Sequence, residues 1–139
     1  MTTAEPIEPD ATLAEALGLT EELEGAIARM AEAELEAGRP EAARVILEGL
    51  AVGRPKDPEA WVLLARAHRA LQQPLAARFC AEVAWVLAPD WSAARLARAE
   101  GLLACPEERR AGEALLKALA AEPVAEAARA RQLLEALGG

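Results

Sequence analysis

A set of small and turn-forming residues returns along this chain every thirty-four positions, and that interval constrains the fold more than any other feature. Gly38, Pro40, Ala43 and Pro55 step forward to Gln72, Pro74, Ala77 and Pro89; a second step lands on Pro106, Glu108, Ala111 and Pro123. Ala31, Ala65 and Ala99 keep the same step. The repeating part therefore divides without a gap into blocks 24–57, 58–91 and 92–125. Each block has room for two helices and a tight turn. In the second, Asp57 is a natural N-cap and Pro58 falls in the first turn, where its missing N–H costs nothing. Pro74 opens the next helix, which stops before Pro89. In the first block Gly38 closes one helix and Pro40 opens the other. The aligned alanines have a steric reason, since helices crossing about 8–10 Å apart tolerate only small side chains at the crossing.

Composition points the same way. The 139 residues include 36 alanines and 21 leucines but only nine valines and isoleucines together, with no Tyr and no Asn. Such a chain favours helix and starves a sheet, so the expected class is all-α. Turns are expected near Gly38, Gln72–Gln73, Pro89 and Cys105–Pro106. Before the repeats, Thr12-Leu13-Ala14-Glu15 has the capping-box pattern, Gly18 would end that short helix, and Thr20 would cap the next. Residues 11–23 thus form an N-terminal helical segment. After the repeats, Val124–Leu137 is helical in pattern, and 126–139 is expected to cap the last block's apolar face. Residues 1–10, acidic and holding Pro6 and Pro9, read as a disordered tail.

Several function classes lose support. The net charge is −8, with −9 in residues 1–41 and +1 in the remainder, and no basic stripe to hold nucleic acid or an anionic membrane. Runs free of charge and proline, such as Trp61–Ala65 and Val83–Ala88, fall far short of the roughly 20 residues of a membrane span. Direct membrane insertion is not expected. The opening residues lack a basic, then apolar signal pattern, which makes cytoplasm the expected compartment. Cys80 and Cys105 lie in helix-forming stretches and read as reduced, mostly buried thiols. His68 and Ser92 are the sole residues of their types, and neither sits in a nucleophile motif. No phosphate loop or metal-ligand spacing is present, so no catalytic residue, cofactor or metal is expected. His68 reads as a packing residue, and Glu107-Glu108-Arg109-Arg110 as the solvated opening of a helix.

The period and its fixed positions resemble the tetratricopeptide repeat. The second block matches best, with Trp61, Leu64, Ala65, Ala77, Ala84 and Pro89 at signature positions. The first keeps Ala31, Gly38, Ala43 and Pro55, with Ile27 and Glu34 where the family prefers Trp and Tyr. The third keeps Ala99, Ala111, Ala118 and Pro123, with Arg95 at the Trp position. This resemblance implies three tandem helix-turn-helix repeats in a right-handed solenoid, with function in the concave groove lined by each repeat's first helix. Carrying over the family's groove positions gives Ala28, Arg29, Glu32, Leu35 and Glu36 in the first repeat. The second gives Val62, Leu63, Arg66, Arg69 and Ala70, and the third Leu96, Ala97, Glu100, Leu103 and Ala104. The expected peptide-binding set is Leu35, Val62, Leu63, Arg66, Arg69, Leu96, Glu100 and Leu103. Its apolar members would take a client's hydrophobic anchors and its arginines the client's carbonyls or an acidic side chain. A foreign peptide, the chain's own N-terminal segment and a second subunit are all occupants of the right kind. The carboxylate clamp of chaperone-tail binders is missing, because Ala28, Glu32, Leu63, Ala93 and Ala97 stand at its positions.

A narrower resemblance is to the class II chaperones of bacterial type III secretion. Leu23, Ile27, Ala31, Gly38 and Ala43 look like their first repeat, Arg69-Ala70-Leu71-Gln72 like their Arg-Gln turn, and Ala99-Glu100-Gly101-Leu102-Leu103 like a run in their third. The departure is aromatic content: those chaperones carry several Phe and Tyr residues, and this chain has Phe79 alone. The resemblance implies a protein or peptide client, a membrane-inserting translocator held soluble until export. It also implies a homodimer through the N-terminal segment, for which Leu13, Leu17, Leu19 and Leu23 would serve unless they fold back on the first repeat. A scaffold in a signalling, motility or envelope-assembly complex is the rival role.

Overall fold

In a computed structural model that describes residues 12–138, the chain is a right-handed stack of helix pairs. The tail expected at 1–10 lies outside the described residues. The elements are α1 (Leu13–Ala16), α2 (Glu21–Glu36), α3 (Pro40–Gly53), α4 (Pro58–Ala70), α5 (Pro74–Leu87), α6 (Ser92–Leu103), a 3-10 turn at Pro106–Glu108, α7 (Arg109–Ala120) and α8 (Ala127–Gly138). Among the described residues there is no β-strand. Helices α2 and α3, α4 and α5, and α6 and α7 pack as antiparallel pairs, and each pair leans on the next. The capping signals act as written. Thr12 Oγ1 accepts from the Glu15 amide at 3.1 Å, Thr20 Oγ1 from Leu23 at 3.1 Å, and Asp57 Oδ1 from Glu59 at 3.0 Å.

The first two turns are built alike, which explains the period. Gly38 and Gln72 both take the left-handed conformation, at φ 78° and 61°. The next amide then reaches back, Arg39 to the Glu34 carbonyl at 2.8 Å and Gln73 to the His68 carbonyl at 2.9 Å. Side chains close the same loop: Arg39 Nε pairs with Glu34 at 2.5 Å, and His68 Nδ1 meets Gln73 Oε1 at 2.7 Å. Polar pairs therefore hold positions where the family prefers an aromatic ring.

The third turn departs from the expected register. Leu102 stands where Glu34 and His68 stood, so no polar pair closes the loop, and the chain passes through the 3-10 turn instead. That path uses one more residue. In α7 the buried positions are Gly112, Leu116 and Leu119, while Ala111 and Ala118, the aligned alanines, are exposed. Gly112 is the small residue of the crossing. A Cβ on it would stand 3.0 Å from the Ala99 carbonyl oxygen and 3.1 Å from the Leu103 nitrogen. Glu108 also differs from its solvated expectation, because its carboxylate reaches Arg78 of α5 at 2.6 Å.

Two apolar clusters result. One joins the first two repeats through residues such as Ala31, Ala43, Leu47, Leu64 and Ala65. The other gathers Leu116, Leu119 and Ala130 with the partly buried Leu133, Leu134 and Leu137 of α8, so α8 covers the last repeat. It begins three residues after Val124, since Pro123 and the Arg95–Glu122 pair (2.7 Å) hold that segment as a turn. The crossing positions are directly testable. Ala77→Leu and Gly112→Leu should each cost about 1–3 kcal/mol by overpacking, whereas Ala111→Leu should stay within about 0.5 kcal/mol of the parent. Thermal unfolding measures all three, and a stable Gly112→Leu would refute the one-residue shift.

Candidate functional site

The groove follows from where α4 lies. Being the first helix of the middle repeat, it packs on α5 and touches both α2 and α6. Ala60, Leu63, Leu64, Ala65 and Ala67 are buried in packing, which leaves one narrow stripe facing the concave side, with Val62, 8% exposed, at its start. Val62, Arg66 and Arg69 are three or four residues apart on that stripe. Across from them α6 presents Ala93, Leu96, Ala97 and Glu100, and the two stripes enclose a cavity of about 430 Å³. Glu126 and Arg129, at the entry to α8, close its far wall.

Five residues expected from the sequence thus come together: Val62, Arg66, Arg69, Leu96 and Glu100. Three do not. Leu63 is 4% exposed in the first apolar cluster, because a middle repeat has neighbours on both sides. Leu35 packs against that same cluster and Leu103 against the second. A charge at Leu63 would therefore test folding and say nothing of binding.

The two arginines also differ. Arg69 Nη2 lies 2.5 Å from Glu100 Oε2, and Arg129 Nε stands 3.6 Å from the other oxygen of that buried carboxylate. Burial pulls the Arg69 guanidinium below the usual arginine range, and Glu100 pulls the other way. Arg69 is thus a wall of the cavity, already committed to an internal pair. Arg66 forms no ion pair among the described residues and remains the groove's available donor. Glu126 and Arg129 escaped sequence reading as groove residues because both fall within the stretch read as a cap. The signal was the period itself, since α8 follows α7 as the first helix of another repeat would. Ser92 Oγ donates to Glu126 Oε2 at 2.6 Å and ties that entry to α6.

Other polar groups serve packing. Burial, with Glu48 nearby, pushes the Cys80 thiol up to about 11, while Cys105 is only partly buried in its turn. Both cysteines are free. Among the described residues, no cluster of three or more His, Cys, Asp or Glu is placed to hold a metal, and no helix is long and apolar enough to cross a membrane. On the convex side, Arg78 is engaged by Glu82 and Glu108, and the Arg98 guanidinium covers the Trp85 ring at 4.0 Å. A second hollow of about 610 Å³ lies between Val52 and Phe79, with Trp61 meeting Phe79 edge to face at 6.2 Å. Its lining is mostly aliphatic and aromatic, so it offers few groups to orient a ligand.

Helix pairs of this geometry, stacked with a concave face of first helices, define the tetratricopeptide-repeat fold, and the tetratricopeptide-repeat family model matches residues 24–67. Among solved structures, the Yersinia enterocolitica type III secretion translocator chaperone SycD is similar at 21% identity, with a TM-score of 0.75 over 91% of this chain and 98% of that one. A chain of a type III secretion complex from Aeromonas hydrophila is similar at 23% identity, TM-score 0.76, over 92% and 89%. A chain of the CopN–Scc3 complex is similar at 13% identity, TM-score 0.71, over 94% and 76%. These likenesses establish a shared fold. No curated protein sequence matches the chain.

The Arg69–Glu100 pair yields a stability test. Glu100→Ala strands a largely enclosed guanidinium and should cost about 1–3 kcal/mol, whereas Arg66→Ala should cost less than about 0.5 kcal/mol. Chemical denaturation distinguishes them, and equal effects would refute the separate roles of the two arginines.

Proposed function

We propose that the chain is a non-catalytic holding protein whose concave groove takes an extended segment of a protein client, as a translocator chaperone of type III secretion. The observation supporting this reading is the cavity between α4 and α6, where apolar walls from Val62 and Leu96 flank the unpaired Arg66. An extended peptide carries free carbonyls beside its side chains, so it needs donors set next to apolar seats. The fold likeness to SycD, named as a translocator chaperone, supports the same class of client. That client would be a membrane-inserting translocator held soluble in the cytoplasm before export.

Co-expression with a type III secretion translocator tests this. The wild-type chain should raise the client's soluble fraction, and Arg66→Glu or the cavity-filling Ala93→Trp should lower its affinity by about tenfold or more with unchanged melting. An insoluble client, or two variants with wild-type affinity, would overturn the reading.

The homodimer belongs to the same proposal. Leu13, Leu17 and Leu23 are exposed, with Leu17 at 68%, while Leu19 is half-buried and α1 touches α3. Large exposed leucines at one end favour pairing with a second copy. Sedimentation should give a dimer for the full chain at tens of micromolar and a monomer after removal of residues 1–19. Two monomers would end the idea.

A further inference from the structure

Arg66 lines the groove without a counter-charge, and its own helix explains why. Four residues to either side of it stand Val62 and Ala70, and three residues to either side Leu63 and Arg69, so α4 offers it no acid within reach. Other helices place an acid one turn from their arginines: Glu32 beside Arg29, Glu41 and Glu48 around Arg44, Glu82 beside Arg78. The two carboxylates of the α4–α6 cavity are already engaged. Glu100 holds Arg69 at 2.5 Å and faces Arg129 at 3.6 Å, and Glu126 accepts from Ser92 at 2.6 Å. Half-buried Arg66 therefore keeps its guanidinium free of ion pairs and hydrogen bonds among the described residues.

The cavity as a whole carries surplus positive charge. Arg66, Arg69 and Arg129 against Glu100 and Glu126 leave it at +1, in a chain whose net charge is −8. The surplus is felt at Arg69: burial lowers its guanidinium, Glu100 opposes that, and the charges of Arg129 and Arg66 lower it further. A backbone carbonyl could accept from Arg66 but would leave the charge in place. One carboxylate would accept and neutralise together, and the planar guanidinium suits it through two parallel hydrogen bonds. A doubly charged phosphate would overshoot and meet Glu100 and Glu126. Toward α2 the balance reverses. There the groove opens into an adjoining hollow of about 460 Å³, where Glu21, Glu24, Asp57 and Glu59 outnumber Arg54 and Lys56. An acidic side chain is thus disfavoured near α2 and favoured between α4 and α6.

We propose that the α4–α6 cavity is a carboxylate subsite, in which Arg66 takes the side chain of a glutamate or aspartate of the client segment. Arg129 adds a second positive charge, and Val62 and Leu96 seat the apolar residues that flank the acid. The proposal rests on the reading of the groove as a peptide site and names the side chain that reading leaves open.

The test titrates acetyl-Leu-Glu-Leu-amide into the full-length ¹⁵N-labelled chain. Parallel titrants are the isosteric acetyl-Leu-Gln-Leu-amide, the same glutamine peptide ending in a free carboxylate, and inorganic phosphate. The glutamate peptide should shift the Arg66 Nε–H and the Ala93 and Ala97 amides saturably, and bind about tenfold more tightly than its glutamine analogue. Arg66→Gln has no ion pair to lose, so it should keep its melting temperature and bind the two peptides alike. Arg66→Lys should retain part of the difference, since it keeps the charge but not the fork. The preference should fade as sodium chloride rises from about 0.05 to about 0.5 M. Equal binding of the glutamate and glutamine peptides would overturn the subsite while leaving the groove a peptide site. A preference that survives Arg66→Gln would overturn it as well, as would equal or tighter binding of the free-carboxylate peptide or phosphate at the same amides. No saturable shift with any peptide would remove the groove reading and the subsite together.

Discussion

Every helix pair in this protein depends on backbones meeting through very small side chains. Ala31 and Ala43, Ala65 and Ala77, and Ala99 and Gly112 occupy the crossing positions, and all are buried. An alanine buries little apolar area, so these crossings gain through dense backbone-to-backbone contact and alanine's high helix propensity. Larger residues fill only the spaces between pairs, with Leu47, Leu116 and Leu119 the largest fully enclosed. The same economy of side chains flattens the concave face, which is why two adjoining hollows remain along α4.

Polar pairs occupy positions where the repeat pattern prefers aromatic rings. Glu34 with Arg39 and His68 with Gln73 close turns, and Arg95 grips Glu122 where the repeat pattern prefers Trp. Exposed pairs contribute little individually, but these act locally to fix the path of a turn. Glu24 with Arg54 and Glu100 with Arg69 are more deeply placed, and desolvation offsets much of their attraction. Both lie in the groove, one beneath each hollow.

The period was legible because turn geometry dictates its residues. Gly38 and Gln72 must accept a positive φ, and prolines must follow where a helix begins. The shift in the third repeat was not legible, because Ala111 and Gly112 are adjacent and both small. Only the path through Pro106–Glu108 decides which of them meets α6. Site residues divide similarly. Val62, Arg66 and Leu96 followed from the groove positions that the repeat resemblance implies. The burial of Leu63 depends on having a repeat on either side, and the engagement of Arg69 depends on a carboxylate in another helix. Partners brought together by stacking leave no local trace in the sequence.

The two ends of the stack are unlike. At one, α8 lays Leu133, Leu134 and Leu137 over the last pair; at the other, Leu13, Leu17 and Leu23 face solvent. A linear array grows when each end can accept the opposite end of another copy. Among the described residues only one of these ends is covered by a helix. Two copies meeting through their leucine-bearing ends would therefore turn α8 outward at both extremes, a pairing that closes on itself where a head-to-tail contact would not.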